Sequence, residues 1–154
     1  MELGLSATAT VIALVSAVLS LFTFCSTRKR DQKRDTLEAY NRLQEQVFDE
    51  LNLLRPEEIE EIVKNNRSAE YKKISGYLAR IEHFCVGVNT KIYDFKTVYE
   101  LGHGYIDGHQ IKKRIVPIID RKQSGTQQDY YENIHKLLKN MDKETERRSK
   151  NGRP

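Results

Sequence analysis

His103, Asp107 and His109 make up the most chemically suggestive stretch of the chain, which reads Gly102-His103-Gly104-Tyr105-Ile106-Asp107-Gly108-His109. Four residues apart, His103 and Asp107 would share one helix face, and imidazole with carboxylate is a donor set suited to zinc or iron. Glycines at 102, 104 and 108 work against a rigid helix there, and no second cluster offers the missing ligands. A glycine-broken turn with surface or capping histidines accounts for the same residues. His83 and Cys85, two apart, point to different sides of a helix and form no nucleophile–base pair. Cys85 sits in an apolar stripe and reads as a core cysteine. Arg80 and His83 are too close for the Arg-then-His pairing of a helical ribonuclease. No phosphate-cradling loop or nucleophile elbow occurs.

Glu82 lies at the edge of the same apolar stripe, one turn from Leu78 and Cys85. A carboxylate there needs a partner if buried. An ion pair with Arg114 or Arg121 is the structural reading, and a functional carboxylate is the alternative. The sequence therefore predicts no catalytic residue, no metal and no cofactor. An enzyme reading would rest on Glu82 or His103.

These residues must be positioned by elements of very uneven composition. From Leu3 to Cys25 no charged residue occurs, while the rest of the chain is dense in Lys, Arg, Asp and Glu. As a helix the uncharged run is about 35 Å long, enough to cross a hydrocarbon core of about 30 Å with some tilt. A cleaved signal peptide would need a basic start, a shorter apolar core and a small-x-small cleavage site, whereas Glu2 is the only charged residue before the run and no such site precedes the basic cluster. Phe24 before Cys25 also argues against a lipoprotein signal. A retained transmembrane anchor over 1–27 is expected. Arg28, Lys29, Arg30, Lys33 and Arg34 follow it and no basic residue precedes it. The positive-inside rule then puts the N-terminus outside and the following domain in the cytosol, with the basic cluster at anionic lipid headgroups. Ser6, Ala9, Ala13, Ser16, Ala17 and Ser20 form a small-residue face on the anchor, of the kind through which spans pair in lipid.

The net charge of +4 is modest, and the acidic residues concentrate elsewhere, as in Glu57, Glu58, Glu60 and Glu61. This is not the pervasive basic surface of a nucleic-acid binder, and no specific nucleic-acid partner is expected. Two cysteines make no disulfide framework and suit a reducing compartment.

Beyond the anchor the spacing predicts an all-α fold, a transmembrane helix followed by a cytosolic helical bundle. Residues 28–55 read as a basic juxtamembrane helix, 56–142 as the bundle, and 143–154 as a charged flexible tail. Leu37, Tyr40, Leu43, Val47, Leu51 and Leu54 recur at helical spacing, as the inner face of a bundle in preference to a coiled-coil seam. With no Pro or Gly between Ser26 and Arg55, the anchor is expected to run on as one rod. Pro56 opens a second helix with acids in its first turns. Ser68 caps a third, with Tyr71, Ile74, Leu78, Ile81, Cys85 and Val88 on one face. Asp94 caps a short fourth, a Pro117-interrupted helix spans about 109–121, and a last helix carries Tyr130, Tyr131, Ile134, Leu137, Leu138 and Met141. No strand pattern or repeat is visible.

The stretch from Tyr77 to Val88, with central Glu82 and the pair Gly87-Val88, then Lys91-Ile92-Tyr93-Asp94 and Val98-Tyr99, resembles a bacterial family of short single-span membrane proteins. That family is catalogued only as a domain of unknown function. Pro117, Arg121, Tyr130 and Tyr131 extend the likeness, which covers about residues 1–140. The resemblance implies Glu82, Gly87, Tyr93 and Asp94 as the family-like motif, a bacterial inner membrane location and no known activity. The expected function is a membrane-anchored interaction or scaffold module, homo-oligomeric or bound to a protein partner. A membrane effector of a stress or phage-defence system is the alternative, and an enzyme at Glu82 or His103 a third.

Overall fold

No proline or glycine interrupts the chain between Leu5 and Leu43, and a single helix, α1, runs from Glu2 to Leu43. Its 42 residues give a rod about 63 Å long at 1.5 Å per residue. A π-helical turn at Gln44–Phe48 and α2 (Asp49–Leu53) continue it. The chain then folds back through α3 (Pro56–Lys64), α4 (Ala69–Asn89) and α5 (Phe95–Gly102), and ends in α6 (Glu132–Lys150). This computed structural model describes residues 2–65, 67–102, 106, 115–116 and 131–152, and for residues 2–9, 56 and 63 the backbone alone. Among the described residues there is no strand, and the fold is all-α.

The first part of α1 is bare. Val11, Ile12, Leu14, Val15, Val18, Leu19, Leu21, Phe22 and Phe24 are all exposed. The Thr23 hydroxyl donates back to the Leu19 carbonyl at 2.8 Å, so this polar side chain is satisfied within the helix. Among the described residues this is the one helix long and apolar enough to cross a membrane, and it lies near the N-terminus.

The second part of α1 is a core element. Thr36, Tyr40 and Leu43 are buried, followed by Val47, Phe48 and Leu51. The stripe is thus the inner face of a bundle, with one displacement. Leu37 is 41% exposed, and Thr36 takes the inward place because its hydroxyl has a backbone partner across the fold. The π-helical turn carries an extra residue, which brings adjacent Val47 and Phe48 both inward.

α4 lies across this face with Ile74, Tyr77, Leu78, Ile81, Phe84, Cys85 and Val88 buried. The Ser68 hydroxyl accepts from the Tyr71 N–H at 3.0 Å, the expected cap. α6 packs along α4 through Ile134, Leu137, Leu138 and Met141. Ile106 and Ile115 join the same core.

The last helix departs from the expectation of a charged tail from 143. Residues 143–150 are helical. Glu144 accepts from Arg147 at 2.8 Å and from Arg148 at 3.0 Å, pairs at helical spacing. Thr145 hydrogen-bonds Tyr99 at 2.9 Å, and the Arg148 guanidinium lies 4.3 Å over the Tyr99 ring. These contacts hold a segment whose charge alone resembles a solvated tail.

Candidate functional site

Helix α4 must reverse before α5 can form, and the reversal takes place over Thr90–Asp94. Lys91 adopts a left-handed conformation (φ 63°), which turns the chain sharply for a non-glycine residue. The turn docks on α1 through two hydrogen bonds. Gln32 Nε2 donates to the Lys91 carbonyl at 2.7 Å, and the Asp94 N–H donates to Thr36 Oγ1 at 2.8 Å. The Thr36 hydroxyl in turn donates to the Gln32 carbonyl at 2.6 Å. Asp94 then starts α5 by accepting from the Thr97 N–H at 3.0 Å and the Thr97 hydroxyl at 2.6 Å.

Tyr93 closes the turn against α4. Its N–H donates to the Gly87 carbonyl at 3.0 Å, and its ring stacks on Phe84 with centroids 5.3 Å apart. A Cβ at position 87 would lie 2.5 Å from that ring, so glycine is required for this approach. Tyr40 meets Phe84 edge-on and Phe48 obliquely, so four rings connect the turn to the π-helical turn.

Glu82 is engaged at the start of α6. One carboxylate oxygen accepts from the Asn133 N–H (3.1 Å) and Asn133 Nδ2 (2.8 Å), and the other from the Ile134 N–H (3.0 Å). The two N–H groups lie in the first turn of α6, where that of Ile134 also reaches the Tyr131 carbonyl at 3.2 Å. Tyr131, at the helix start, is left-handed (φ 74°) and supplies no side-chain cap. Glu82 therefore caps α6 from another helix, where its negative charge also meets the positive end of the helix dipole. Asn89 Nδ2 adds bonds to the Asn133 carbonyl (3.0 Å) and Oδ1 (3.2 Å). Arg114 and Arg121 lie outside the described residues.

The motif Glu82, Gly87, Tyr93 and Asp94 is thus brought together as a junction that ties α4, α5 and α6 to α1. Cys85 is buried beside it, and burial, with the Glu82 charge adding to it, pushes its thiol far above the ordinary value. A thiol held protonated in this way is a packing group. Among the described residues no group of three His, Cys, Asp or Glu side chains could hold a metal. His103, Asp107 and His109 lie outside the described residues.

An open cleft of about 990 Å³ separates this turn from α1 where the apolar run ends. Phe24, Cys25, Arg28 and Lys29 line it from α1, and Lys91 and Ile92 from the turn. The basic cluster is therefore divided, because Arg30, Lys33 and Arg34 take no part in the lining. On the bare part of α1, Ala13, Ser16, Ala17 and Ser20 are exposed. The side chains of Ser6 and Ala9 fall outside the described residues. Gln32 and Thr36 escaped the sequence reading. A threonine four residues before Tyr40, in phase with the buried stripe, is the signal that would have found the second.

A family model described as a domain of unknown function, DUF4760, matches residues 10–141. The chain belongs to this family. The match takes in the exposed apolar part of α1, the docked turn and the start of α6, so the family domain includes the candidate span with the bundle. No curated protein matches the chain. No solved structure matches it either.

Proposed function

We propose that the chain is a single-pass anchor for a cytosolic interaction module in a bacterial inner membrane. Residues 1–27 form the anchor, the N-terminus lies outside, and the bundle stands in the cytosol with Arg28, Lys29, Arg30, Lys33 and Arg34 at anionic headgroups. Copies pair through Ser6, Ala9, Ala13, Ser16, Ala17 and Ser20. The observation that carries this reading is the continuity of α1, which is bare and apolar in its first part and a core element in its second. With no hinge between the two, pairing of spans would juxtapose bundles in a fixed geometry and create a composite surface for a partner.

The chain itself provides a probe. Cys25 is exposed and Cys85 buried. In native membranes a bis-maleimide should link copies through Cys25, and Ala13→Leu with Ala17→Leu should abolish the linked dimer. Monomer alone, with no protein partner captured, sinks the proposal. Reporter fusions at the C-terminus test the orientation: a fluorescent cytosolic reporter should be active and a periplasmic phosphatase silent.

The same unbroken helix favours a second reading, an effector of a bacterial stress or phage-defence system. Assembly of bundles would then drive the spans together and perturb the bilayer. A membrane potential unaffected by enforced dimerisation of the bundle rules it out.

A further inference from the structure

We propose that the turn between α4 and α5 is a second membrane contact, with Ile92 entering the headgroup–acyl boundary of the bilayer that α1 crosses and phospholipid filling the cleft beside it. This rests on the reading of α1 as a membrane span.

Ile92 is 65% exposed, although it belongs to a turn whose neighbour Tyr93 is packed inward and whose backbone is bonded to α1. An exposed isoleucine on a fixed turn is an apolar tip presented outward. Its position says to what. Gln32, which holds the Lys91 carbonyl, lies seven residues beyond Cys25, about 10 Å along the helix. Ile92 lines the same cleft as Phe24 and Cys25, where the apolar run ends. With that run in hydrocarbon, the tip sits at interfacial depth, where apolar groups bury themselves about 5–10 Å into the headgroup region.

The flanking charges agree with a lipid occupant. Arg28 and Lys29 line the cleft next to the apolar run, as expected where cations meet phosphate groups, and Lys91 lines it from the turn. Asp31 and Asp35 line the part of α1 farther from it, and the Asp94 carboxylate is engaged in starting α5. Along α1 the lining thus passes from apolar to basic to acidic, in the order in which a membrane surface gives way to water.

The chain contains no tryptophan, so one introduced indole reports its own depth. Phe24→Trp, Ile92→Trp and Leu53→Trp would each be placed in the full chain, reconstituted in phosphatidylcholine–phosphatidylglycerol vesicles with or without brominated acyl chains. Leu53 is more exposed than Ile92 but lies at the opposite end of the rod, and so controls for the affinity of tryptophan itself. Bromine should remove roughly half of the emission at positions 24 and 92 and little at position 53. Quenching at 24 without quenching at 92 overturns the proposal and leaves the span reading standing. No quenching at 24 overturns both. Equal quenching at 92 and 53 means a bundle lying flat on the surface, and also overturns the tip contact. A nitroxide on Ile92→Cys in a Cys25→Ser background, read by oxygen against nickel collisions, measures the same depth without an added indole. Higher nickel than oxygen accessibility there sinks the proposal.

Discussion

Single side chains at the junction act through geometry that can be removed one atom group at a time. Glu82→Ala strips the cap from α6: the Asn133 N–H loses the carboxylate and the Ile134 N–H keeps only the Tyr131 carbonyl at 3.2 Å. A loss of about 1–2 kcal/mol in unfolding free energy is expected, measured by denaturation in detergent. Glu82→Gln, which retains an oxygen, should lose less. At Gly87 an added methyl meets the Tyr93 ring at 2.5 Å. Gly87→Ala should cost about 1–3 kcal/mol by overpacking, and much less in a Tyr93→Ala background. A cost undiminished by the second substitution would show that the ring is not the obstacle. Glu144 gives a pH signature. Hydrogen bonds from Arg147 and Arg148 hold its carboxyl at about 2, below the ordinary 4.5. As pH falls, the unfolded chain binds this proton first, so the contribution of Glu144 is whole above about 4.5 and gone once pH has dropped through about 2. Glu144→Gln should flatten the fall of melting temperature over that window, and added salt should do so partly.

Between elements, the hydrogen bonds from Gln32 and Thr36 decide how the α4–α5 turn meets α1. Thr36→Val keeps the volume but leaves the Asp94 N–H without its acceptor. A cost of about 1–3 kcal/mol is expected, with faster hydrogen exchange at the Asp94 amide. This scale also separates what sequence can and cannot disclose. The stripes of α1 and α4 were legible because burial imposes a 3.6-residue period on Tyr40, Leu43 and Val47 and on Ile74, Leu78, Ile81 and Cys85. The caps at Ser68 and Asp94 were legible because each acts within three residues. Thr36 in place of Leu37 was not, since its partner lies 58 positions away. Nor was the use of Glu82, whose acceptor role depends on a helix start 51 and 52 residues downstream. The length of α6 was not legible either, since Glu144, Arg147 and Arg148 look like tail until their spacing is counted.

For the molecule as a whole, the proposed anchoring makes the span and the bundle one object. Two glycines inserted after Ser26 should preserve Cys25 crosslinking within the membrane while abolishing crosslinks engineered between neighbouring bundles. Retention of both would show that the bundles associate on their own. The unbroken rod also has a consequence for the bilayer itself. A span longer than the local hydrocarbon thickness tilts to fit it. From Cys25 to Leu43 the helix extends about 27 Å, so each 10° of tilt would swing its far end by about 5 Å. A thinner membrane would therefore lean the bundle over and a thicker one would set it upright, so the height of the domain above the surface would gauge the lipid beneath it.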